Sequence, residues 1–184
     1  MSTLLALSRP QRVIRLMQPT DLAAVMQVQA ACYATGLHEA ATVVAARLAA
    51  SPQTAWVVED AQGIGAYLVA YRSEIGVITP FDQVFVPVEQ GACLYIHDLA
   101  VSPRLAGQRV AQQVLAHAQC AAMAQGMCGS GLVSVQGSQG FWQRLGYEVL
   151  SPLHMCFDAQ TALQSYGVDA VYMTQKWRCD HTVS

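Results

Sequence analysis

The amino-acid sequence predicts a mixed α/β fold of the α+β type, and two observations carry that reading. Segments that alternate apolar and polar residues, the period of a strand, are interleaved with alanine-rich segments whose apolar residues recur at helical spacing. At residues 94–111, LYIHDLAVSPRLAGQRVA, an alternating strand runs into Ser102-Pro103, a short turn, and a helix start near Gly107. Proline cannot donate to a ladder, so it stops the strand. The unpaired N–H groups and positive dipole end of a helix N-terminus attract phosphate.

The remaining elements follow in order. Residues 12–17 alternate and read as a first strand. Thr20 is the expected N-cap of a first helix, with Leu22, Val25, Met26 and Cys32 on its buried side and a break at Thr35-Gly36. A second helix is expected over 38–50, with Val44 and Leu48 inward and Ser51-Pro52 as its stop. Residues 54–59 and 64–72 form a hairpin about the turn at 60–63. Residues 73–91 hold two prolines and read as a long loop with room for one short strand, and a loop of that length in a compact domain is usually functional.

The helix after the central strand is expected over 107–125, with Val110, Val114, Ala118 and Ala121 inward. Gly126 and Gly129-Ser130-Gly131 end it. Residues 132–135 read as a buried strand, 138–145 as a short helix capped by Gly146, and 147–150 as a strand. Residues 158–169 read as a connecting loop and 170–177 as the last strand. The expected order is βααβββαβαββ.

Composition bounds the function. The chain has 184 residues, of which 53% are hydrophobic and 12% charged, so one domain with a large core is expected. That domain spans 12–178, with tails at 1–11 and 179–184. A net charge of −2 gives no support to nucleic-acid binding. No apolar run approaches the ~20 residues that span a bilayer, and Leu4-Leu5-Ala6-Leu7 is too short for a signal segment. No membrane association is expected. Cys32, Cys93, Cys120, Cys128, Cys156 and Cys179 form no CxxC pair and no zinc spacing, so reduced thiols in a cytoplasmic protein are expected, without a metal.

Leu99, Ala100, Val101, Pro103, Val110 and Ala111 match a pattern of Leu-Ala-Val-x-Pro, two residues, then Gln/Arg-x-x-Gly-x-Gly/Ala. That pattern is motif A of the GCN5-related N-acetyltransferases, the GNAT family, which this stretch resembles. Gly107 matches the family's Arg-Gly variant, whereas Ala106 stands where the family has Gln or Arg, and Arg109 where it has the middle glycine. About thirty residues on, Phe141-Trp142-Gln143-Arg144-Leu145-Gly146-Tyr147 resembles the family's Phe-Tyr-x-x-x-Gly-Phe. The resemblance extends along nearly the whole chain. It implies a splayed, mostly antiparallel sheet of about seven strands with helices on both faces. It also implies acyl transfer, most simply from acetyl-CoA, to a primary amine of a small molecule or peptide by a monomer or homodimer. The alternative is a degenerate domain that binds acyl-CoA or a partner protein without turnover.

The candidate site residues each have a functional and a structural reading. For coenzyme A, the resemblance implies Leu99, Ala100, Val101, Ala106, Gly107, Gln108, Arg109, Val110, Ala111, Phe141 and Trp142. Arg109 keeps a backbone N–H, and its side chain either bonds phosphate or fills the glycine's space. Arg104 is a second phosphate contact or a solvated residue. His97 occupies a family position that can carry a general base, and its ordinary pKa of about 6.5 suits that role. Strand alternation puts it on one face with Tyr95, Leu99 and Val101, opposite Asp98. Otherwise His97 is a core histidine. Asp98 bonds a neighbouring loop or acts on substrate. Trp142 replaces the tyrosine that protonates the leaving thiolate in many family members, and indole is no useful acid. Tyr147 and Tyr95 are the substitutes. Tyr33, Phe81, Phe85 and Tyr95 are candidates for an acceptor wall, and Glu74, Asp82 and Glu89 for an acidic rim.

Overall fold

A computed structural model describes residues 11–151, 153, 155 and 157–177. Of the expected tails at 1–11 and 179–184, all but Gln11 lie outside them, as do Cys156 and Cys179. One seven-stranded sheet, ordered β1-β2-β3-β4-β5-β7-β6, is covered on both faces. Its strands are β1 (Val13–Leu16), β2 (Ala55–Asp60), β3 (Gly63–Ser73), β4 (Cys93–Val101), β5 (Gly129–Ser134), β6 (Glu148–Val149) and β7 (Val171–Lys176). Every strand pair is antiparallel except β4–β5.

The helices are α1 (Leu22–Cys32), α2 (Ala41–Ala50), α3 (Val110–Ala124), α4 (Gln139–Gln143) and α5 (Phe157–Gln164). Val110, Val114, Leu115, Ala118 and Ala122 of α3 bury against Trp56, Leu68, Leu94 and Ile96 on one face. Val25 and Val28 of α1, Val44 and Leu48 of α2, and Ala159 and Ala162 of α5 bury against Val57, Tyr67, Val69 and Tyr95 on the other. Burying the valines and leucines among them stabilises by roughly 1.5–3 kcal/mol each.

Three elements depart from the sequence expectation. The expected loop at 158–169 contains α5, whose inward stripe is alanine, too weakly apolar to stand out in the sequence. The glycines at 129 and 131 do not end α3 but lie within β5. A Cβ on Gly131 would come within 2.2 Å of the Tyr172 hydroxyl, so the placement of that buried ring across β5 needs glycine there. Helix α3 starts at Val110 rather than near Gly107, with Arg109 as its N-cap in the left-handed region, φ 59°. Cys128 is disulfide-bonded, against the expectation of reduced thiols.

Two irregularities position the site. β4 and β5 pair only from Cys93↔Gly129 to Ile96↔Leu132, although both strands continue. Beyond Ile96 they part. On its other edge β4 carries a bulge: Val69 pairs with Asp98 and Ala70 with Ile96, so His97 is the extra residue. A bulge inserts one residue and breaks the alternation of faces.

Candidate active site

The bulge overturns the face assignment of His97. Leu99 and Val101 pack with Leu94 and Ile96 on the α3 face, whereas Tyr95 and Ala100 belong to the α1 and α2 face. His97 and Asp98, neighbours in sequence, line the same cavities on that second side. His97 as a residue is half-buried, yet its side chain is only 3% exposed, so the backbone is what meets solvent.

Nε2 of His97 lies 3.1 and 3.2 Å from the two carboxylate oxygens of Glu39, just ahead of α2. Glu39 is bonded in turn by Nη1 of Arg47, which is fully buried within α2. Arg47 also donates to the Gln83 carbonyl at 2.8 Å and stacks over Phe85 at 5.0 Å. Burial pushes the Glu39 carboxyl up, but the hydrogen bonds and charges of His97 and Arg47 outweigh it and hold it at about 2. An ionised carboxylate only accepts, so in the neutral imidazole Nε2 carries the hydrogen and Nδ1 the lone pair. The Tyr166 hydroxyl is 3.4 Å from Nδ1 but 2.7 Å from the Thr79 carbonyl, and its single hydrogen goes to the carbonyl. Nδ1 is thus left as an acceptor.

Asp98 does not bond a loop backbone. Its two oxygens each accept a phenol, Tyr33 at 2.5 Å and Tyr67 at 2.5 Å. Burial pushes the Asp98 carboxyl above its usual range, against the opposing pull of these bonds. Burial and the Asp98 charge likewise raise both tyrosines well above the ordinary phenol value.

Where β4 and β5 part, a cavity of about 300 Å³ opens. Leu99 and Val101 line it from β4, Val133 from β5, and Phe141 and Trp142 from α4. It continues through Val101, Ala111 and Phe141 into a second hollow of about 270 Å³ at the head of α3, lined by Ala106, Gly107, Arg109 and Val110. No side chain caps α3, and its first internal bond runs from the Gln113 N–H to the Arg109 carbonyl, 3.1 Å. The N–H groups ahead of it are left for an anion. Gly107, at φ 72° with nothing within 4 Å of its Cβ position, keeps that mouth open. The groove fits an elongated ligand with a phosphate group at one end. On the other side of His97 and Asp98 lies a small pocket of about 40 Å³, walled by Tyr33, Phe81 and Tyr166.

The remaining expected residues are distributed as follows. Ala100 is buried away from the groove. Gln108 turns back, bonding Arg12 and the Arg104 carbonyl. Arg104 is held by Asp60 at 2.7 Å and the Gly63 carbonyl at 2.8 Å, so it is no free phosphate contact. Phe85 stacks on Tyr71 and meets His97 edge-on, behind the pocket wall. Tyr95 is fully buried between Tyr71 and Tyr172. Tyr147 lies in the core under α3: its hydroxyl bonds Ser130 at 2.6 Å, and burial pushes its pKa to about 12. Neither tyrosine faces the groove, so neither substitutes for the tyrosine missing at Trp142. Asp82 anchors the start of α2 through the Ala40 N–H.

Sequence reasoning missed Glu39, Arg47, Tyr67 and Tyr166. A faint signal existed for two of them: Glu39 and Arg47 are the charged pair of an otherwise alanine- and valine-rich stretch, and Arg47 falls beside Val44 and Leu48 on the buried stripe.

The family described as acetyltransferase (GNAT) domain matches residues 51–149. No curated protein matches the chain in sequence. Among solved structures, the chain is similar to GphF, a GNAT-like decarboxylase in complex with isobutyryl-CoA, with TM-score 0.72, 17% identity, 90% of this chain covered and 100% of that one. The loading GNATL domain of CurA from Lyngbya majuscula gives TM-score 0.71 at 14% identity, covering 90% and 98%. The ribosomal-protein-S18-alanine N-acetyltransferase from Escherichia coli gives 0.65 at 13%, covering 95% and 99%.

Proposed function

This chain belongs to the GNAT acetyltransferase family, and on that premise we propose that it transfers an acyl group from acyl-CoA directly to a primary amine, with acetyl-CoA as the donor. Coenzyme A is the co-substrate. The single observation that carries the reading is the meeting of two cavities at one histidine. The groove at the β4–β5 opening and the small pocket both border His97. A thioester lying in the groove is then within reach of an amine in the pocket, the proximity that converts a bimolecular step into an intramolecular one.

The chemistry follows from the hydrogen-bond pattern. Nδ1 of His97 takes a proton from the acceptor ammonium. Glu39, already ionised, steadies the imidazolium that forms. The free amine attacks the thioester carbonyl; the C–N bond forms and the C–S bond breaks. A backbone N–H on the β4 edge that β5 leaves unpaired beyond Ile96 polarises the carbonyl oxygen. Solvent protonates the departing thiolate, since a thiol pKa near 8.5 makes a dedicated acid dispensable. Leu99, Val101, Phe141 and Trp142 hold the pantetheine arm, and the α3 N-terminus with Gly107 and Arg109 takes the pyrophosphate. The working unit is the domain at 12–178, as a monomer or homodimer in the cytoplasm.

Thiol release from acetyl-CoA across an amine panel tests this. The second reading is binding without turnover, favoured by Trp142 and by the sealed Tyr147 hydroxyl. Folded protein that binds coenzyme A but releases thiol with no amine establishes that second reading. Malonyl-CoA run alongside, with carbon dioxide measured, separates both from the decarboxylation named for one structural relative.

A further inference from the structure

We propose that the small pocket accepts an unhindered primary ammonium on a flexible alkyl chain and rejects α-amino acids and peptide N-termini. The assignment rests on the acyl-transfer reading above and names its acceptor.

Size is the first argument. The pocket measures about 40 Å³, and since one water needs roughly 10–15 Å³ on this scale, it holds about three water-sized groups. A nitrogen and the first two carbons of an alkyl chain fill it. An α-carbon carrying both a carbonyl group and a side chain does not fit. The walls are held in place. The Phe81 N–H donates to the Ser165 hydroxyl at 2.8 Å, and Tyr166 is tied to Thr79 at 2.7 Å.

Charge is the second. Glu39 and Asp98 both border the pocket, and no lysine or arginine does. Arg47, on the far side of Glu39, is 1% exposed and lies outside the pocket lining: Nη1 bonds Glu39, Nε bonds the Gln83 carbonyl, and the guanidinium, whose Nη2 has no partner among the described residues, sits over the Phe85 ring. A carboxylate on the acceptor therefore meets the Glu39 charge beside a second carboxyl, that of Asp98, and no cationic partner. An ammonium meets the opposite charge, and beside it the rings of Phe81 and Tyr166, 5.7 Å apart, whose faces attract cations.

The third argument is the ring nitrogen that the Glu39 contact leaves as an acceptor. His97, with a side chain 3% exposed, borders this pocket with Nδ1 left as an acceptor, because the Tyr166 hydrogen goes to Thr79. A buried acceptor without a donated hydrogen is costly to leave unmade. An N–H of a bound ammonium supplies it.

Three amines separate size from charge. They are n-butylamine, 2-aminopentane, which adds a methyl branch beside the nitrogen, and norvaline, which carries a carboxylate at that branch. With full-length protein and acetyl-CoA, kcat/KM should fall in that order, with norvaline lower than n-butylamine by roughly 100-fold or more, as expected for like charges brought together. Phe81→Ala should raise 2-aminopentane toward n-butylamine and leave norvaline excluded. Norvaline or alanyl-alanine used as well as n-butylamine overturns the assignment, as does norvaline gaining as much as 2-aminopentane from Phe81→Ala. If no amine releases thiol, the acyl-transfer reading fails, and calorimetric titration of the same three amines into the coenzyme A complex decides the pocket's selectivity: n-butylamine binding in preference to norvaline upholds it, and equal binding overturns it.

Discussion

The Glu39 carboxylate lies 3.1 Å from Nε2 of His97, joining residues 58 positions apart. This contact decides the tautomer. A carboxylate held at about 2 accepts from Nε2, so the other ring nitrogen is left as the acceptor, the atom that the proposed mechanism uses as base. Arg47 keeps the carboxylate ionised but is itself buried in α2 and tied to the Gln83 carbonyl. The chain Arg47–Glu39–His97 therefore runs from the α2 core to the junction of the two cavities.

His97→Ala should lower turnover by roughly 10²–10⁴-fold, the usual range for general catalysis. Much of the loss should return at higher pH, where the amine deprotonates unaided. Coenzyme A affinity should hold, because the α3 mouth is lined by other residues. Steady-state kinetics between pH 6 and 10, with calorimetry for coenzyme A, check this. A stable variant with unchanged turnover and pH profile removes His97 from the mechanism.

Glu39→Gln should do two separable things. It strands the Arg47 guanidinium in the core, and losing one partner of a buried pair costs about 3–5 kcal/mol. It also takes the counter-ion from the imidazolium that forms in the proposed mechanism, so turnover should fall. Adding Arg47→Met removes the stranded charge and should restore the denaturation midpoint without restoring turnover. Full recovery of activity in the double variant would leave Glu39 a purely structural role.

Acid should unfold the protein partly through this same carboxylate. Glu39 titrates at about 2 when folded, against about 4.3 in an unfolded chain. Between those values the unfolded state binds more protons, so stability rises with pH and is lost as pH falls from about 4.5 to 2. The contribution is on the order of 3 kcal/mol at neutral pH. Asp98 acts in the opposite sense: its raised pKa makes its contribution decline as pH rises through the carboxyl range. Urea midpoints measured from pH 2.5 to 6 should show a shallower slope in Glu39→Gln than in the native chain.

Much of this was legible in the sequence, and the rest was hidden for physical reasons. Strand and helix periods gave the mixed α/β order, and the two motifs gave the groove residues Leu99, Val101, Gly107, Ala111 and Phe141. The bulge left only a faint trace, since the aliphatic residues at 94, 96, 99 and 101 break their step of two at His97-Asp98, and strict alternation reads through that break; the pairing with β3 reveals that His97 is extra. That single inserted residue moved His97 away from Leu99 and beside Asp98. Glu39 and Tyr166 come to His97 from segments 58 and 69 residues away, and no local period encodes such a meeting. Helix α5 escaped notice because alanine makes its buried stripe.

Arg109 supplies the last test. Its φ of 59° is a conformation that costs a non-glycine residue roughly 1–2 kcal/mol. Among the described residues it forms no ion pair, and it lines the hollow at the α3 mouth. The strain is then retained at the place where we propose that the guanidinium reaches phosphate. Arg109→Gly should relieve the backbone and melt a few degrees higher, yet bind coenzyme A about tenfold more weakly, the low end for a lost charged hydrogen bond. Arg109→Ala keeps the strain and loses the charge, so it should match the glycine variant in affinity and the native chain in melting. Raising salt should narrow the affinity gap between native and variants, because the contact is at the surface. If Arg109→Gly binds as tightly as the native chain or more so, the side chain only fills the space of a glycine, and the α3 N–H groups hold the pyrophosphate alone.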